Sequence, residues 1–165
     1  MENKFAPKPL GTVLGLVMLL ASTQIFVSGQ ESGNQGQRDE HSIQGTWRTI
    51  VTPVNCQTGV PVAPAFQGLL GFHEGGTLSG TGATVAPSAF GVWEREGGWQ
   101  NYSFAFTNFR YNTSGVFIGS QTVRQTAKLG AGGDEFTTNG TVEIFDANGN
   151  LIGTGCSNST GTRFE

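Results

Sequence analysis

The chain has 165 residues, 36% of them hydrophobic and 13% charged, with a formal net charge of −3 and two cysteines. Beyond Lys4, Lys8 and Arg38, its few cations (Arg48, Arg95, Arg110, Arg124, Lys128 and Arg163) stand singly along the sequence. A surface that tracks phosphates needs clustered cations, so neither nucleic acid nor an anionic membrane is an expected partner.

At the N-terminus, Lys4 and Lys8 precede an apolar run from Leu10 to Phe26, and Val27-Ser28-Gly29 offers small residues to a peptidase. Residues 1–29 therefore read as a signal peptide. The product is expected to be secreted or periplasmic, with no stable membrane insertion once the signal is cut. An uncleaved anchor is the rival reading, because the run approaches bilayer-spanning length; Thr12, Ser22, Thr23 and Gln24 dilute it. Cleavage removes Lys4, Lys8 and Glu2, leaving seven basic and eleven acidic residues, a balance of −4. Residues 30–42 are polar, have nothing to bury and read as a disordered leader. The folded domain is expected over 43–165.

From Ile43 onward, short β-branched and aromatic runs alternate with Gly, Asn and Asp clusters, and no sustained helical period occurs. Eight strands are predicted, at about 43–52, 66–73, 77–83, 90–96, 99–111, 115–129, 135–146 and 150–164. Glu74-Gly75-Gly76, Glu96-Gly97-Gly98, Asn112-Thr113-Ser114-Gly115 and Asn148-Gly149-Asn150 supply tight-turn chemistry between them. Short turns join antiparallel neighbours, so the chain reads as an up-and-down meander.

Side-chain alternation assigns the inner face. In the fifth run Tyr102, Phe104 and Phe106 alternate with small or polar residues and face inward. In the sixth the odd positions Phe117, Gln121, Val123, Gln125 and Leu129 face in, because Arg124, Thr126 and Lys128 lie opposite. Phe136, Thr138, Val142 and Ile144 continue the interior in the seventh.

Cys56 and Cys156 form the simplest disulfide for an oxidising compartment. If they mark opposed positions of the first and last strands, Thr49 lies opposite Arg163 and Trp47 is its diagonal neighbour. Pairing first strand with last closes the sheet, and the expected fold is all-β: a single-domain, eight-stranded, antiparallel up-and-down β-barrel. An open sandwich is the alternative.

Gly45-Thr46-Trp47 at the start of the first strand, Arg163 in the last and eight antiparallel strands between them resemble the calycin superfamily of lipocalins, fatty-acid-binding proteins and avidins. That resemblance implies that Trp47 closes the barrel floor and Arg163 packs across it. The connection Gly130-Ala131-Gly132-Gly133-Asp134 departs from lipocalins proper, which carry Thr-Asp-Tyr there.

No catalytic, metal-ligating or phosphate-cradling constellation is legible, and no cofactor is expected. His41 falls in the leader, and His73 beside Glu74 reads as a solvated turn without a nucleophile in sequence reach. The triplets at Asn101, Asn112, Asn139 and Asn158 have the form of glycan acceptors. What remains is the interior: Tyr102, Phe104, Phe106, Phe117 and Phe136 with the polar Gln121, Gln125 and Thr138. Aromatic walls with a few convergent polar groups describe a small-molecule pocket, and buried amides without partners are costly. The leading expectation is a non-enzymatic barrel that binds a small, partly apolar molecule. A cofactor-free isomerase of the allene-oxide-cyclase kind, using Tyr or Glu side chains within the same cavity, and a structural module with a filled core are the alternatives; Glu94 inside beside Tyr102 with a raised pKa would favour the isomerase.

Overall fold

In the computed structural model the described residues are 41–83 and 88–164. They form β1 (Gly45–Val54), β2 (Phe66–Phe72), β3 (Thr77–Gly82), β4 (Ser88–Arg95), β5 (Asn101–Tyr111), β6 (Phe117–Leu129), β7 (Glu135–Phe145) and β8 (Leu151–Arg163), with no helix among them. Each strand pairs antiparallel with the next, and β1 also pairs with β8, closing an eight-stranded barrel. Closure gives every strand two neighbours and leaves no free edge. The predicted signal peptide and most of the leader fall outside the described residues.

Two local expectations change. Trp47 stands directly opposite Arg163, and Cys156 lies opposite Val54, so the β1/β8 register differs by two residues from one in which the cysteines face each other. The cause lies at Asn55. Its Oδ1 accepts the amides of Gln57 and Thr58 at 2.9 and 3.0 Å, turning the chain out of the ladder before Cys56. The Cys56–Cys156 disulfide therefore joins the β1–β2 loop to β8 rather than two opposed strand positions.

The second change is a bulge. Arg110 pairs with Gly119 but Tyr111 with Phe117, which leaves Ile118 as the extra residue. Gly119 has φ 134°, and a Cβ there would strike the carbonyl of Phe145, so only glycine suits the position. Beyond it the alternation reverses. Phe117 is 42% exposed and packs edge-on against Phe109 and Tyr111, at 5.8 and 6.0 Å between ring centroids.

The core occupies one end of the barrel, where odd strands begin and even strands finish. Ile43, Trp47, Phe72, Leu78, Tyr102, Leu129 and Phe136 are all buried there. Each large side chain removed from water contributes about 1.5–3 kcal/mol, so this layer dominates stability. Gly161 belongs to it by what it lacks: a Cβ would overlap the Phe136 ring, which lies against the backbone of β8 at that point.

The floor is sealed by one cation. Arg163 lies 4.3 Å from the centre of the Trp47 ring. It donates from Nη1 to the Gln44 carbonyl at 2.7 Å, and from Nη2 to the carbonyls of Ser42 at 2.8 Å and Gly133 at 2.7 Å. Trp47 Nε1 donates to the Ile43 carbonyl at 2.7 Å. The planar guanidinium thus satisfies several backbone acceptors while stacking on an aromatic face, a combination lysine cannot supply. His41 and Ser42, assigned by composition to the disordered leader, belong to this floor. Ser42 is buried, the His41 ring meets Trp99 at 4.7 Å, and the His41 carbonyl accepts from Tyr102 Oη and Arg95 Nη2.

Candidate ligand cavity

Above the floor the interior opens. A cavity of about 550 Å³ occupies the other half of the barrel, within the range of small-molecule sites. Strand register orders its wall into rows. Phe104 and Gln125 form the deepest, one step above the Tyr102–Ala127–Thr138 row that belongs to the floor. Next come Phe106, Val123 and Val142, then Asn108, Gln121 and Ile144, and finally Arg110 and Tyr111 at the rim. The β1–β2 loop adds Val62 to the rim, where the Cys56–Cys156 disulfide and the Val62 amide, bonded to the Pro53 carbonyl at 3.0 Å, hold it.

The residues expected to line one pocket divide among three places. Phe104, Phe106, Gln121 and Gln125 face the cavity. Tyr102 and Phe136 are buried in the floor, and Thr138 is buried in the same inner layer without reaching the cavity wall. Phe117 is corrected outright: the bulge turns it to the outer face, and Ile118 lines the cavity in its stead. A glycine one position after two large apolar residues, inside a strand, was the available signal for that irregularity.

Sequence reasoning also passed over Ser157, although β8 presents it inward. Gln125 Nε2 donates to Ser157 Oγ at 2.8 Å in a buried contact. Gln125 Oε1 and Thr138 Oγ1, by contrast, have no hydrogen-bond partner among the described residues. Gln125 is only 5% exposed, so its carbonyl oxygen has lost water without gaining a donor.

Outside the barrel the chemistry is sparse. His73 Nε2 lies 2.7 Å from Ser79 Oγ, a pairing that bare sequence did not suggest, but both are on the outer surface and neither lines the cavity. Glu94 is exposed on the outer face and accepts from Ser103 Oγ at 3.3 Å. It is not inside beside Tyr102, the placement that would have favoured a barrel isomerase. Arg124 and Glu143 form an ion pair on the same outer wall. Among the described residues no group of three or more His, Cys, Asp or Glu could hold a metal ion, and no helix is long and apolar enough to cross a membrane. No family model and no curated protein matches the chain.

Proposed function

We propose that this chain is an exported, calycin-like carrier that holds a small, largely apolar molecule in the upper half of its barrel. The observation that carries the reading is the division of the interior: a sealed aromatic floor at one end, and an apolar cavity of about 550 Å³ with a few polar side chains at the other. A core selected only for stability gains from filling such space, since unfilled volume forfeits contacts. The Trp47–Arg163 floor agrees with the calycin resemblance, and a disulfide over a separation of 100 residues agrees with an oxidising, exported setting. The N-terminal signal pattern supports the export part of this reading.

Native mass spectrometry of protein purified from its source is expected to show a bound small molecule. In the purified protein a hydrophobic dye should bind and be displaced by apolar ligands, whereas Val123→Trp, which places an indole in the cavity, should abolish binding. Circular dichroism should show the barrel retained in that variant. If the wild-type protein carries no ligand and takes up no dye, the carrier reading fails.

A further inference from the structure

Resting on the carrier reading, we infer that the ligand is an elongated amphiphile that enters with a hydroxyl foremost and leaves an acid group at the rim beside Arg110. The inner end of the cavity sets the first requirement. Gln125 Oε1 can only accept, and it has no donor among the described residues. Ser157 Oγ is already an acceptor for Gln125 Nε2, and no acceptor for the Ser157 hydrogen occurs among the described residues. A group that donates to Gln125 and accepts from Ser157 completes both, and a hydroxyl does so with one atom.

A carboxylate cannot take that place. It would meet an acceptor oxygen, and no lysine or arginine lines the cavity at that depth; Arg110 alone among the basic residues contributes to the wall, at the other end. A buried anion without a partner is far costlier than a buried hydroxyl. The leading group is therefore uncharged.

The belt above, Phe106, Val123 and Val142, offers only apolar surface and suits methylenes. Above the belt Asn108 and Gln121 set amides beside Ile144, and at the rim Arg110 faces the cavity and makes no hydrogen bond or ion pair among the described residues. Phe104 and Arg110 are separated by six positions of β5, roughly 20 Å of extended strand. Gln125 and Arg110 are thus too far apart for one compact head group, and a chain with a different group at each end, passing the Asn108 and Gln121 amides below the rim, matches the cavity.

The test compares ω-hydroxydodecanoic acid, dodecanoic acid and dodecanol by isothermal titration calorimetry on the disulfide-bonded exported chain. The preference for the hydroxy acid over the plain acid should be about tenfold greater in wild type than in Gln125→Met. Ser157→Ala, a smaller change that tolerates failure of the first variant to fold, should reduce the same preference. Arg110→Gln should weaken both acids by about tenfold and leave dodecanol unaffected. An identical preference in wild type and the folded variants, or acids indifferent to Arg110, overturns the inference while the carrier reading stands. If none of the three chains binds but a hydrophobic dye does, the inference alone falls; if the dye fails too, the carrier reading falls with it.

Discussion

Trp47 and Arg163 show how much a single pair can organise when each satisfies the other's surroundings. The indole fills the floor while its N–H is bonded, and the guanidinium that covers it satisfies the Gln44, Ser42 and Gly133 carbonyls. Trp47→Ala is expected to cost about 3–5 kcal/mol, the range for large aromatic truncations in cores. Arg163→Lys keeps the charge but not the fork and should cost about 1–3 kcal/mol, with urea denaturation measuring both. Asp146 makes a different kind of contact at the β7–β8 turn. The side-chain hydrogen bond from Asn150, then backbone amides of Asn150, Asn148 and Gly149, hold its carboxyl below the usual carboxylate range, against a smaller opposing effect of burial. Its folded value is depressed, so its contribution to stability is present above the ordinary carboxylate value and is lost as pH falls through the lower folded one. An NMR titration should find the Asp146 midpoint below that of an exposed aspartate, and a midpoint at or above it would refute the assignment. The roles of Trp47 and Arg163 were visible in the sequence through family likeness. The unfilled valence of Gln125 was not, because it depends on which atoms three other strands bring to within hydrogen-bonding range.

At the level of strands, period-two alternation and turn chemistry located all eight elements to within two residues at every end, because each hairpin carries its own local instructions. What escaped were the places where one residue breaks the period. The Asn55 turn displaces Cys56 from the ladder, and the Ile118 bulge reverses the faces of the first residues of β6. Both are decided by one residue's backbone preference and so leave little trace in a pattern averaged over a run. Gly119 makes the second testable. Gly119→Ala must place a Cβ against the Phe145 carbonyl at a φ that L-residues avoid, and a loss of about 2–4 kcal/mol is expected. If thermal denaturation finds the variant as stable as wild type, the bulge is not what holds Phe117 outside.

For the molecule as a whole, the interior is neither an empty tube nor a solid core but one half of each. The floor supplies the stability that allows the other half to stay open, which is why composition alone could support both a filled and a hollow barrel. The disulfide acts at the hollow end, away from the buried aromatic floor. By the chain-entropy account, closing a loop of this length stabilises by about 4–5 kcal/mol. Reduction, or paired Cys56→Ser and Cys156→Ser changes, should lower the melting temperature while the near-ultraviolet signal of the buried floor persists below the transition. Because Val62 reaches the rim on the tethered loop, the proposed carrier role implies that ligand release should also quicken on reduction; unchanged melting and release would show that the tether is dispensable.

The seam between β1 and β8 has one more implication. Residue 44 and residue 163 are linked by a hydrogen bond of 2.7 Å, so the two ends of the folded segment are neighbours in space. A few added residues could splice them, and the polypeptide could be cut anew at the exposed Asn148-Gly149 corner, giving a circular permutant whose strands keep their order around the ring.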